Sequence, residues 1–269
     1  MKPVDALSFQ LYSARALPTL QQQLQLVAGL GYRMVEPYAA QLADPPLLKD
    51  LLQGLRLSAP TAHVGLDRLR ADAAGTARLC RSLSIGLILV PAPPPQERDK
   101  DMQGWRALGR ELHGIGKAVR DEGLTLGWHN HHWEVGREEN GPFPLDLLFE
   151  EAPELVWEAD LAWLVRGGVD PLAWLAKHAG RIPAAHVKDL APKGQATDED
   201  GWADVGHGTL DWSALLPAMR RAGVELFVVE HDNPSDVARF ARRSREAIAG
   251  WPDRPGHADH ATGRTGTEP

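Results

Sequence analysis

Hydrophobic and polar positions along the chain follow two alternating periods. Eight short runs, apolar or alternating and bounded by turn-forming residues, recur from end to end: Ala6 to Tyr12, Met34 to Tyr38, Ser58 to Val64, Ile85 to Pro91, Leu124 to His131, Leu155 to Asp160, Ile182 to Lys188 and Leu226 to Glu230. Between them lie segments such as Leu20 to Leu30, Trp105 to Glu122, Leu172 to His178, Trp212 to Ala222 and Ser235 to Ala249. In these, apolar residues return every three or four positions, which predicts helices covering a sheet. Several helices run into a glycine just before the next strand (Gly29 and Gly31, Gly123, Gly223), the place of a left-handed C-cap. Strict strand and helix alternation predicts a parallel sheet with right-handed crossovers. Eight units in about 250 residues match a (β/α)8 TIM barrel. A doubly wound dinucleotide-binding sheet would carry G-x-G-x-x-G after its first strand; here that strand runs into Ser13-Ala14-Arg15.

Two segments break the repeat. Pro91 to Lys100 (PAPPPQERDK) is too proline-rich for a helix, and Lys193 to His207 is a long polar stretch after the seventh strand; both read as loops able to cover a ligand. Beyond Trp251 large apolar residues cease, so residues 1–252 are expected to form one domain and 253–269 a disordered tail, with His257 and His260 solvated. Hydrophobic residues make up 43% of the 269 and charged residues 24%, a globular balance. The net charge of -7 offers no general attraction to nucleic acid or anionic lipid, so neither is an expected partner. The single cysteine, Cys80, excludes a disulfide framework and fits a reducing compartment, as a small core residue. The first residues are too polar for a signal peptide and no run approaches a membrane span, so a cytoplasmic location is expected.

In such a barrel the active site forms at the C-terminal strand ends. Polar residues crowd there: Gln10, Glu36, His63, then the pairs His129 and His131, Glu158 and Asp160, His186 and Lys188, Glu230 and Asp232. Side chains two apart on a strand share a face, so if one member of a pair points into the barrel mouth, both do. Several carboxylates and imidazoles in one small cavity carry a large desolvation cost unless paired, solvated or bound to a cation. One divalent metal ion accounts for them, and a mixed imidazole and carboxylate set suits Mn, Fe, Co or Zn better than Ca or Mg.

The phrases Gly127-Trp128-His129-Asn130-His131-His132-Trp133-Glu134, Glu158-Ala159-Asp160-Leu161-Ala162-Trp163, His186-Val187-Lys188-Asp189, Val205 to Trp212 and Val228-Val229-Glu230-His231-Asp232 resemble the sugar phosphate isomerase/epimerase family of xylose isomerase-like barrels, related to the apurinic endonucleases. So do Gln10 to Ser13 and Gly31 to Glu36. The resemblance implies one divalent ion held by His129, Asp160, His186 and Glu230. It also implies a metal-dependent isomerase or epimerase that moves a proton next to the carbonyl of a sugar, keto-sugar or polyol through an enediolate. Many relatives carry a glutamate where His129 stands, so a two-carboxylate proton shuttle loses one member here. Glu230 is then the expected base, with His131, Glu158 or Lys188 as its partner. Glu36 and His63 sit where relatives contact the sugar.

Trp128, Trp133, Trp163 and Trp202 lie near the expected mouth, where their indole faces can stack on sugar C–H surfaces. Trp163 also stands where some metal-binding relatives have a histidine, which argues against a multinuclear zinc site. The Val205-Gly206-His207-Gly208 turn offers backbone N–H groups to an anion or hydroxyl. An enediolate can also expel a β-hydroxyl, so a dehydratase of the inosose dehydratase type, or a keto-glycoside lyase, is the second expectation. A phosphodiester hydrolase would need more ligands and a basic surface, and a non-catalytic sugar-binding barrel would bind without turnover. A homo-oligomer is expected only by analogy with the family.

Overall fold

A computed structural model of the chain describes residues 3–136 and 141–251. Its centre is a sheet of eight parallel strands in the order second, first, eighth, seventh, sixth, fifth, fourth, third. In chain order these are Leu7–Gln10, Met34–Glu36, Thr61–His63, Leu87–Val90, Thr125–His129, Val156–Asp160, Ala184–Val187 and Leu226–Val229. The ring is completed by a single parallel bridge between Met34 and Ser58, where Val35 N–H donates to the Ser58 carbonyl at 2.9 Å and Ser58 N–H to that of Arg33 at 3.0 Å. The expected (β/α)8 barrel is therefore present, and each expected strand contains an observed one.

Helices surround the strands, and the outward-facing strand residues pack beneath them. Trp128, Trp157, Ala159 and Val187 are fully buried in that layer. Gly31, Gly123 and Gly223 adopt φ of 92°, 81° and 102°, the left-handed conformation their positions predict. Inside the barrel, Gly127 leaves room for its neighbours: a Cβ there would stand 2.8 Å from Leu89 and 2.9 Å from Val156. Cys80 is buried in the helix Leu66–Ser82. No helix of the described residues is long and apolar enough to cross a membrane. The expected tail, 253–269, lies outside the described residues.

Both irregular segments are tied down. The loop after the seventh strand contains a short antiparallel pair, Asp189–Leu190 with Trp202–Ala203. Glu199 in this loop accepts hydrogen bonds from Ser235 N–H (2.7 Å) and the Arg239 guanidinium (2.7 Å), while Asp204 pairs with Arg243 at 2.8 Å. The loop is thus held against the last helix, Val237–Ala249.

The glycine turn does not present its N–H groups to a ligand. The buried Asp189 carboxylate accepts from Gly206 N–H (2.9 Å), Gly208 N–H (3.3 Å), Leu210 N–H (3.1 Å) and the Trp212 indole N–H (2.8 Å). The anion the turn was expected to hold is supplied by the chain itself. A Cβ at Gly208 would stand 2.2 Å from the Asp189 carboxylate, so glycine is required there for close approach. Replacing Asp189 by alanine strands several buried donors and is expected to lower stability by about 3 kcal/mol in a urea unfolding experiment; a loss below about 1 kcal/mol would contradict this role.

Candidate active site and metal centre

Parallel register sets the heights of the strand ends. Gln10 pairs with Glu36, His129 with Glu158, and Asp160 with His186. Glu158 and Asp160 face the same way, as alternation requires, yet they align with different neighbours because two residues along a strand span roughly 6.6 Å. The same offset separates His186 from Lys188 and Glu230 from Asp232. The strand-end groups therefore form two levels.

His186 joins the levels. Its Nε2 lies 3.0 Å from Glu36 Oε1 and 3.1 Å from Glu158 Oε2, and its Nδ1 lies 2.9 Å from Glu230 Oε2 and 3.8 Å from Asp160 Oδ2. On the Nε2 side, His63 Nε2 contacts Glu158 Oε2 at 2.7 Å and Glu36 Oε1 at 3.1 Å, and Gln10 donates to Glu36 at 2.7 Å. On the Nδ1 side, the Lys188 ammonium is 3.1 Å from Glu230, 2.5 Å from Asp232 and 3.7 Å from Asp160. It also lies 4.1 Å above the Trp202 ring and 4.8 Å above that of Trp163, faces that attract a cation.

These contacts shift the titrations. Burial alone would neutralise His63 and His186, but Glu36 and Glu158 hold the His63 imidazolium up to about 9, and Glu158 with Glu230 raises His186 well above its ordinary range. Burial works against the Lys188 ammonium too, and its three carboxylates still keep it above the lysine range. Burial raises the Glu36 carboxyl, and His63 and His186 more than reverse that, leaving it far below the usual carboxylate value. Asp160 is pushed up to about 7 by burial, with Lys188 only partly opposing. Burial takes His129 and His131 well down, assisted by His186 and Lys188 respectively, so both imidazoles are neutral.

Two overlapping groups can each place a set of ligand atoms within 4.8 Å of one another: His129, Asp160, His186 and Glu230, and His63, His129, Glu158 and His186. The first is the set that the resemblance implies. Its Asp160 uses one oxygen to cap the following helix, accepting from Trp163 N–H at 2.9 Å, while Oδ2 is buried without a hydrogen-bond partner among the described residues. His129 Nδ1 is also buried, 3.3 Å from Glu158 Oε2. An orphaned acceptor such as Asp160 Oδ2 fits a cation.

A cavity of about 380 Å3 opens above these groups at the strand C-termini. Glu230, His131, His63, His129 and Trp133 line it, as do Asp232, Arg98, Tyr12 and Tyr38. Glu36 and Trp163, expected to touch substrate, Glu158, expected to move a proton, and Trp128 and Trp202, expected near the mouth, do not line the cavity. Glu36 and Glu158 lie on the lower level with no exposed surface, bracing His63 and His186, and Trp163 packs its ring against Trp202. Lys188 is also beneath the lining, reaching it through Glu230 and Asp232.

Sequence reasoning left other residues unassigned. Asn130 points away from the mouth, where its Oδ1 accepts from Trp157 Nε1 (2.8 Å) and Asp160 N–H (2.9 Å), fixing the height of Asp160 beside His129. Glu134, raised to about 8 by burial, accepts from His131 N–H at 2.8 Å and orients that residue. Both stand inside the His129 to Glu134 phrase, which was the available signal. Arg98 lies in a loop with no periodic pattern.

Comparison with known proteins bears on the fold and the family. A 167-residue stretch is 26% identical to inosose dehydratase of Bacillus cereus (strain AH820), covering 54% of this chain and 55% of that protein, so the chain spans about half the length of the curated relatives it matches. A sugar phosphate isomerase/epimerase from Parabacteroides distasonis superposes with a TM-score of 0.76 at 18% identity, covering 91% of this chain and 98% of that one. The IOLI protein with a bound zinc atom superposes with a TM-score of 0.71 at 16% identity, covering 91% and 95%. Residues 24–251 match the description of xylose isomerase-like TIM barrels. The chain belongs to the xylose isomerase-like TIM barrel family.

Proposed function

We propose that the protein is a divalent-metal-dependent isomerase or epimerase of a sugar, keto-sugar or polyol, working by proton transfer at the carbon next to a carbonyl. The observation that carries this reading is a pair of ionisable groups lining one cavity at a buried ligand set: Glu230, itself one of that set and held as a carboxylate, and His131, held as a neutral imidazole. His129, Asp160, His186 and Glu230 would hold the metal. When bound, the metal supplies Lewis acidity to adjacent carbonyl and hydroxyl oxygens, which acidifies the C–H between them.

The chain's own residues do the rest. Glu230 takes the proton, and its Oε2 sits beside the Lys188 ammonium, which keeps it ionised at rest. Glu230, once protonated, can return that proton, and His131, a neutral imidazole that lines the cavity with its ring stacked on Trp133 at 4.2 Å between centroids, can accept a proton from a substrate hydroxyl. Trp133, Tyr12 and Tyr38 wall the cavity with aromatic surface against which sugar C–H groups pack. Lys188, surrounded by Glu230, Asp160 and Asp232, fixes these carboxylates and offsets their charge beneath the cavity.

A dehydratase is the second reading, favoured by the inosose dehydratase relatives and by the absence of a second cavity-lining glutamate among the described residues to pair with Glu230. The two readings share the first proton abstraction and part at whether a β-hydroxyl leaves. Incubating metal-loaded protein with a panel of keto-sugars and inososes in D2O separates them: deuterium at carbon with retained mass formula marks isomerisation or epimerisation, and loss of water marks dehydration. Glu230→Gln is expected to lower either rate by about a hundredfold or more. Unchanged exchange in that variant would remove Glu230 as the base.

Metal uptake is expected to release protons. His186 is held protonated in the chain without metal and Asp160 titrates near 7, so both must deprotonate to bind, and affinity rises as pH increases from 6 through 8. Titration calorimetry of Zn or Mn in buffers of differing ionisation enthalpy should show about one metal per chain and roughly one to two protons released at neutral pH. Proton uptake, or affinity falling with rising pH, would contradict the ligand set.

A further inference from the structure

Arg98 stands apart from every other charged group at the mouth. It sits in the proline-rich loop that follows the fourth strand, and that loop is held from outside. Glu97 receives both amino groups of Arg70 (2.7 and 2.9 Å) and the Lys100 ammonium (3.0 Å), and Arg70 also reaches Glu111 at 2.7 Å. The contacts with Arg70 and Lys100 hold the Glu97 carboxyl down to about 2, so its charge is spent on those two cations. Arg98 has no carboxylate partner among the described residues. Its Nε–H donates to the Pro93 carbonyl at 3.4 Å and its guanidinium lies 4.7 Å from the Trp133 ring centroid, which leaves the terminal amino groups without an acceptor.

The guanidinium shares the cavity with Glu230 and Asp232. The lining thus carries two carboxylates and one arginine, Arg98, whose exposed guanidinium rests on the Trp133 indole. A neutral sugar would leave that cation without a counter-charge. Guanidinium groups positioned on aromatic faces pair in a bidentate manner with planar or tetrahedral oxyanions.

We propose that the substrate carries an oxyanion, a carboxylate or a phosphate, and that Arg98 binds it. This rests on the sugar-active reading above and adds the charge class of the substrate. Arg98 is a specificity residue here and none of the candidate metal ligands, so its replacement leaves metal binding unchanged.

The test uses the full chain loaded with manganese, its Arg98→Met and Arg98→Lys variants, and calorimetric titration with matched probes: pentoses and hexoses, their uronic acids and their terminal phosphate esters. The expected result is at least a tenfold preference for one anionic class over the parent sugars in the wild type. That preference should shrink to within twofold in Arg98→Met, recover in part in Arg98→Lys, and weaken with added salt, while neutral-sugar affinities stay level. Which class gains, uronate or phosphate ester, identifies the oxyanion. Neutral sugars binding as tightly as both anionic classes, or a preference that survives Arg98→Met, overturns the inference and leaves the sugar site standing. Absence of binding by every probe overturns the sugar site and the inference together.

Discussion

The structure depends on charge balance in a small buried volume. Glu36, Glu158, Asp160, Glu230 and Asp232 converge at one end of the barrel, and four of the five are nearly or fully buried. Isolated ionised carboxylates in such a place are costly, and the fold meets that cost with Lys188 and the imidazolium forms of His63 and His186. His186 is the pivot. One nitrogen faces the lower carboxylates and the other faces the upper ones, so any cation taken up on the upper side displaces a proton from a ring whose opposite nitrogen is already held by Glu36 and Glu158. Such second contacts fix the tautomer and orientation of a ligating histidine.

The arrangement divides labour by depth. Groups on the lower level, Glu36, Glu158 and His63 Nε2, set orientation and charge, while Glu230 and His131 meet the cavity. Lys188 lies between, its charge shared among three carboxylates and two indoles. The scaffold around them is fixed by contacts far from the chemistry: Asp189 gathers the glycine turn, Asn130 locks the fifth strand to the sixth, and Glu199 ties the seventh-strand loop to the last helix. Rigid support of this kind places reacting groups to within fractions of an ångström.

One site geometry accommodates both chemistries found among the relatives, because isomerisation and dehydration begin with the same proton abstraction. What distinguishes them is the group that meets the substrate after that step. His129 and the neutral His131 both line the cavity, and Glu134 accepts from His131 N–H behind it. The mouth carries both signs of charge, the Glu230 and Asp232 carboxylates and the Arg98 guanidinium.

The sequence by itself determined the fold and the gathering of the paired motifs at one end of it. Its alternation of two hydrophobic periods specifies eight parallel strands, and residues two apart on a strand must share a face, so the four paired motifs had to meet at one barrel mouth. Depth was decided only by the tertiary structure. A period of two fixes direction and says nothing of height, which comes from the register between neighbouring strands: Asp160 aligns with His186 while Glu158 aligns with His129. That offset moved Glu36 and Glu158 from the expected working surface to its support. Long-range contacts decided the remainder. The N–H groups of the glycine turn look available for a ligand in the sequence, and the buried Asp189 claims them because the chain folds back upon itself. Arg98 carried no pattern at all; its place at the mouth follows from where the fourth strand falls in the ring and from the ion pairs that hold its loop.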